Sequence, residues 1–150
     1  MIAIFTALIT VQFLIIALHD LVDVPGWITG SQVQAVMGRR KTILATLANC
    51  VFPGIAVALA ILFWNQTLPH SVTNYWVIYC GLACLSAVGM WYIPYIRGAP
   101  EKLKREYERM YGGTKMLLPS RGDNPRPNLF HMGIHTLFMT NLVLAVFLRL

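Results

Sequence analysis

Charge is scarce in this sequence, and negative charge is scarcest. Of its 150 residues only 12% are charged, with six Asp and Glu against twelve Lys and Arg. A soluble domain carries ~25% charged residues, so a soluble globular enzyme is disfavoured. A disordered chain is disfavoured as well, because 57% of the residues are hydrophobic. Cysteine is also rare. Three cysteines, an odd number, argue against a disulfide-rich secreted scaffold. Internal repeats and low-complexity tracts are lacking, and so is any nucleic-acid-binding motif to accompany the net charge of +6.

What is there instead is long apolar runs. Residues 1–18 contain no charge and one strongly polar residue, Gln12. They lack the basic start and small-residue cleavage site of a signal peptide, so they read as a retained first span. Further runs cover about 42–64, interrupted by Asn49 and Pro53-Gly54, then 75–96 and 129–148. Spanning segments must satisfy their own backbone, and without strand alternation these are helices. Trp27, Trp64, Tyr75, Trp76, Trp91, Tyr92 and Tyr95 stand where span ends meet headgroups. Pro53 is expected to kink the second span and Pro94 to end the third. The expected fold is an all-α integral membrane protein. It is a single-domain four-transmembrane-helix bundle with an additional amphipathic cytoplasmic helix between spans three and four.

The basic residues report orientation. Arg39, Arg40 and Lys41 lie in the loop 19–41, and eight more lie in the loop 97–128. The loop between spans two and three has none, and only Arg149 falls on the opposite side. The positive-inside rule then places both termini outside and the two long loops in the cytoplasm, in a bacterial inner membrane or an endoplasmic reticulum. The basic groups lie against anionic headgroups, and nucleic acid is not an expected partner.

The loop 97–128 has detailed local chemistry. Pro100 and Glu101 suit a helix start, EKLKREYERMY reads as a helix, and Gly112-Gly113 close it. Leu103, Tyr107, Met110 and Tyr111 form one apolar stripe, while Glu101–Arg105 and Lys104–Glu108 are opposite charges at i,i+4. This helix either caps the bundle or moves as a lid. TKMLLP is too short to span. SRGDNPRPN is rich in turn formers, and Asn128 is placed to N-cap the fourth span.

Ionisable residues at membrane depth are candidate sites. The first span ends LHDLVDVPGW, in which His19 and Asp23 are spaced i,i+4, with Asp20 between them. The fourth begins NLFHMGIH, in which His131 and His135 are spaced i,i+4. Both segments fall at the same membrane face. His19, Asp23, His131 and His135 could ligate zinc or non-haem iron, and His19 with either His131 or His135 could hold haem across the bundle. Without a metal, a His–Asp pair could act as general acid and base on a lipophilic substrate. The same residues fit a structural role, snorkelling to headgroups or bonding between helices. Cys80 and Cys84 share a face of the third span and read as small packers, while Gly81, Ala83, Ser86 and Gly89 permit close helix approach. His70 reads as incidental, and Asn65-Gln66-Thr67 matches a glycosylation sequon close to the membrane.

The gross plan resembles that of the membrane-associated eicosanoid and glutathione metabolism family, which has four spans, a similar length and both termini on the far side of the membrane. Arg39-Arg40, Asn49 and Pro53 fall near the start of the second span, where that family carries Arg, Asn and Pro. No glutamate stands in the second span here, the spacing differs, and the long loop before the fourth span is foreign to that family. The resemblance is one of layout, and no active site is carried over from it.

The leading expectation is a small membrane enzyme or redox protein with a His/Asp site at the cytoplasmic interface, acting on a lipophilic small molecule. The alternatives are an accessory or assembly subunit of a larger membrane complex and, third, a homo-oligomeric channel or transporter.

Overall fold

The computed structural model describes residues 1–150. The chain is mostly helical. Helix α1 (Ile2–Leu18) leads into a short hairpin, β1 (Asp23–Val24) and β2 (Ile28–Thr29). Then come α2 (Gly30–Met37), α3 (Arg39–Leu62), α4 (His70–Ala87), one π-helical turn (Val88–Tyr92), α5 (Ile93–Arg97), α6 (Glu101–Tyr111) and α7 (Leu129–Arg149).

Three helical stretches are long and apolar enough to cross a membrane: Arg39–Leu62, His70–Arg97 and Leu129–Arg149. Helix α1 is apolar but shorter, at 17 residues. It packs against α3 and α7, and α4 packs chiefly against α7. Only 27 of 150 residues are buried, far too few to hide the apolar side chains. Leu82, Leu85, Met90, Ile61 and Phe147 all lie exposed, as they would against acyl chains.

The core lies toward one end of the helices. Phe5, Ile9, Ala56, Ala60, Val72, Trp76, Cys80 and Ala145 form it, so Cys80 is a packer as expected. Trp76 fills its centre, its ring 4.7 Å from that of Phe5. Its indole N–H donates to the Ala56 carbonyl at 3.2 Å. The opposite end, where α1 and α5 finish and α3 and α7 begin, carries the hairpin, α2 and α6. Eleven of the twelve Lys and Arg residues belong to that end.

Two details differ from the sequence expectation. The region 19–41 is not a plain loop. Val24-Pro25-Gly26-Trp27 makes a tight turn in which Gly26 takes φ +75° and Trp27 N–H donates to the Val24 carbonyl at 2.9 Å. Gly30 follows where the chain doubles back, because a Cβ there would stand 2.6 Å from the Val22 carbonyl oxygen. Second, Pro94 does not end the third helix. Proline lacks an N–H and its ring crowds the carbonyl four residues before. The chain widens by one π turn, in which Ile93 N–H reaches the Val88 carbonyl, and then continues to Arg97. Such turns are rare and tend to occur at functional sites.

Candidate functional site

The π turn directs Trp91 and Tyr92, consecutive in sequence, toward the start of α7. There His131 and His135 lie one turn apart on a common face, their ring centroids 6.3 Å apart. His131 is enclosed by aromatic rings, with Trp91 at 4.0 Å, Tyr111 at 5.1 Å and Phe130 at 5.9 Å. Tyr107 and Tyr111 come from α6 and also pack on Trp91, at 5.7 and 5.5 Å. Tyr107 and Tyr111 of the apolar stripe of α6 are therefore turned onto the bundle, while Leu103 stays exposed. Burial pushes the phenols of Tyr107 and Tyr111 well up, so both remain neutral.

A directed hydrogen-bond chain sets the orientation of His131. The Thr114 hydroxyl donates to the Tyr111 carbonyl at 2.6 Å, which leaves its oxygen to accept from Asn128 Nδ2 at 3.0 Å. Asn128 Oδ1 must then be the acceptor on its other side. It takes the His131 backbone N–H at 2.9 Å, as the expected N-cap, and His131 Nδ1 at 2.7 Å. Nδ1 of His131 therefore carries the proton. His135 Nδ1 lies 3.3 Å from the Tyr92 hydroxyl.

His19 is the C-cap of α1, just beyond Leu18. Its Nδ1 lies 3.1 Å from the Ile16 carbonyl, which can only accept, and its Nε2 lies 3.3 Å from Asp20 Oδ1. Its ring is 6.0 Å from that of His131 and 6.3 Å from Phe130. Three of the four expected residues, His19, His131 and His135, are thus brought into one row.

Asp23 is not in that row. The i,i+4 spacing puts two residues on one face only while the helix continues, and α1 stops at Leu18. Asp23 opens β1 instead. Its Oδ1 accepts from the Ser31 backbone N–H at 2.9 Å and the Ser31 hydroxyl at 3.1 Å. There its charge stabilises the first turn of α2. Asp20, its neighbour in the motif, takes the place beside His19.

The geometry does not assemble the expected metal centre from His19, Asp23, His131 and His135. No three His, Cys, Asp or Glu groups stand close enough to share one ion. The cavity bordered by His19, Asp20, Tyr111, Asn128 and His131 has a volume of about 10 Å³, room for about one water.

A larger space adjoins it. Between α1 and α7 an open apolar groove of about 420 Å³ is lined by Leu8 and Ile15, by Trp27, and by Phe130, Gly133, Ile134, Leu137 and Thr140 of α7. Trp27 and Phe130 form the wall shared by the groove and the small His19–Asp20 cavity. The aromatic partners Trp91, Tyr107, Tyr111 and Phe130 were not foreseen as site residues. Only the apolar stripe of α6 and the proline-bearing end of the third helix hinted at them.

Comparisons with protein-family models, with curated proteins and with solved structures find no match. The resemblance in sequence plan to the eicosanoid and glutathione family thus assigns no residue a role.

Proposed function

We propose that the protein is a small polytopic membrane enzyme that acts on a lipophilic molecule, with His19 and Asp20 as a general acid–base pair at the membrane interface. One observation carries this reading. The His19–Asp20 pair and the α1/α7 groove share the Trp27–Phe130 wall, so a molecule whose apolar part lies in the groove presents its polar end beside the pair. The Ile16 carbonyl fixes the imidazole through Nδ1, and a proton can pass between Nε2 and the Asp20 carboxylate. His131 and His135 act as positioning residues, since their ring faces and Nδ1 atoms are engaged by Trp91, Tyr111, Tyr92 and Asn128.

In this reading α1 is a fourth span. At 1.5 Å per residue its 17 residues reach about 26 Å, close to the ~30 Å hydrocarbon core. The end bearing α6 and eleven of the twelve Lys and Arg residues is cytoplasmic, and both termini are outside. A second reading, a subunit that docks on larger partners, is supported by the outward face of α4 and the π turn, where Gly81 and Gly89 meet no neighbouring atom within 4 Å.

The test is turnover. The protein is reconstituted in vesicles containing mixed phospholipids, free fatty acid and an isoprenoid quinone, and each species is followed by mass spectrometry. One species should be converted by the wild type and by neither His19→Gln nor Asp20→Asn. Conversion that survives both substitutions, or no conversion by the wild type, overturns the assignment.

A further inference from the structure

A held cation lies against Trp27, one of the residues that line the α1/α7 groove. Lys115 is anchored through its backbone on both sides: its N–H donates to the Gly26 carbonyl at 2.9 Å, and its carbonyl accepts from Leu129 N–H at 2.8 Å. Its side chain crosses Gly26, where a Cβ would stand 3.5 Å from Lys115 Cε. The ammonium then lies 5.4 Å from the centre of the Trp27 ring, the ring that lines the groove. Lys115 takes part in no ion pair. From the level of Phe130 to Thr140 the α7 wall of the groove runs ten residues, about 15 Å at 1.5 Å per residue. That equals one leaflet of a ~30 Å hydrocarbon core.

We propose that this groove is a binding site for one acyl chain of an anionic lipid, with the lipid's phosphate or carboxylate held by Lys115 above Trp27. The inference rests on the reading of the groove as the substrate site and gives that substrate a class. A leaflet-deep apolar channel takes the chain. The unpaired ammonium at headgroup level selects the negative head, and Trp27 sits at the depth where aromatic rings meet the interface.

Tryptophan quenching tests it in the full chain. Wild type and Trp27→Phe are reconstituted in phosphatidylcholine vesicles doped with chain-brominated phosphatidylglycerol or chain-brominated phosphatidylcholine, and the difference between them isolates Trp27 emission. Trp27 should be quenched by both lipids, with a preference of about fivefold for the anionic one, the selectivity that one lysine at the surface supplies. Lys115→Gln should bring the preference close to unity. Lys102→Gln, which removes an equal charge from the exposed face of α6, should leave it in place. Gly133→Leu, placed where a Cβ meets nothing within 4 Å, should fill the groove and reduce quenching by both lipids.

The proposal falls if Lys115→Gln keeps the preference, if Lys102→Gln abolishes it equally, or if Gly133→Leu changes nothing. It falls too if free inorganic phosphate displaces the brominated phosphatidylglycerol, or if a second copy of the chain shields Trp27 from both lipids. Quenching is read without turnover. Lipid bound without chemistry sinks only the assignment of His19 and Asp20, and chemistry without lipid selectivity sinks only the occupant named here.

Discussion

Asn128 does more at this end of the molecule than its place in a turn suggests. It is 1% exposed and serves two acceptors' worth of bonds to His131 while donating to Thr114. Loss of the cap costs ~1 kcal/mol, and stranding a buried donor costs ~1–3 kcal/mol more. Asn128→Ala should therefore destabilise the protein by ~2–4 kcal/mol, read from its unfolding midpoint in a mixed-detergent titration. Side-chain nitrogen NMR should show His131 as the Nδ1-protonated tautomer in the wild type and a shift toward the other tautomer in the variant. A loss below ~0.5 kcal/mol with the tautomer unchanged would show that the chain from Thr114 to His131 is incidental. The N-cap was legible because Asn before an apolar helical run has a local cause. So was the His131–His135 pair, because α7 is continuous through both. The His19–Asp23 pairing was misread for the same physical reason. Spacing predicts a shared face only inside a helix, and the i,i+4 spacing was carried five residues past Leu18, where both the apolar run and the helix end.

Helix α6 is held by two kinds of contact that differ in strength. Tyr107 and Tyr111 bury rings against Trp91 and His131, while Lys104 is tied to Glu101 at 2.9 Å and Asp123 at 3.0 Å near the surface. The i,i+4 pairs read from the sequence are replaced by this three-way tie, because Asp123 arrives from a turn that spacing along one helix cannot reveal. Lys104 beside Asp123 holds that carboxyl below its ordinary 3.8, and the two carboxylates hold the lysine above its ordinary 10.5. A depressed carboxyl adds stability above 3.8 that is lost as pH falls through its lowered value. A raised lysine adds stability below 10.5 that is lost as pH rises through its elevated value. The tie is thus complete between those limits. Pulsed electron spin resonance between labels on Glu106 and Arg121 should show Lys104→Gln broadening the distance distribution slightly at neutral pH, as acid does in the wild type. Tyr111→Ala should release the helix outright. If Lys104→Gln detaches α6 while Tyr111→Ala leaves it docked, the aromatic contacts are not what holds it. The existence of α6 and its apolar face were legible from period alone. Its partner was not, because the π turn that aims Trp91 depends on how Pro94 is accommodated in three dimensions.

At the scale of the whole bundle, one polar link joins three helices where apolar packing alone would allow them to slide. Gln12 of α1 donates to the Tyr79 hydroxyl of α4 at 2.5 Å and accepts from Asn141 Nδ2 of α7 at 2.7 Å, with both Gln12 and Asn141 fully buried. Asn141 Oδ1 has no partner. Gln12 stood out in the sequence as the one strongly polar residue of its span, but its partners lie 67 and 129 residues away and carry no shared pattern. Hydrogen bonds between membrane helices are worth only ~0.6–2 kcal/mol. An orphaned buried acceptor costs ~1–3 kcal/mol, so the link contributes little net stability. What it does contribute is register, because sliding either helix by one turn would strand every member in hydrocarbon. A double-mutant cycle separates the two effects. Asn141→Leu leaves Gln12 Oε1 unpaired and Gln12→Leu leaves both Tyr79 and Asn141 short of a partner, so each single variant should lose ~1–2 kcal/mol in bicelle unfolding. The double variant leaves only the Tyr79 hydroxyl short of a partner, so it should lose no more than either single variant, with a coupling of at least ~1 kcal/mol. It should also show broadened distances between labels on α1 and α7, since the element that fixes alignment is gone. Additive losses would mean that the two amides do not act as a pair. A double variant as narrowly ordered as the wild type would assign the register to the Phe5–Trp76 core instead.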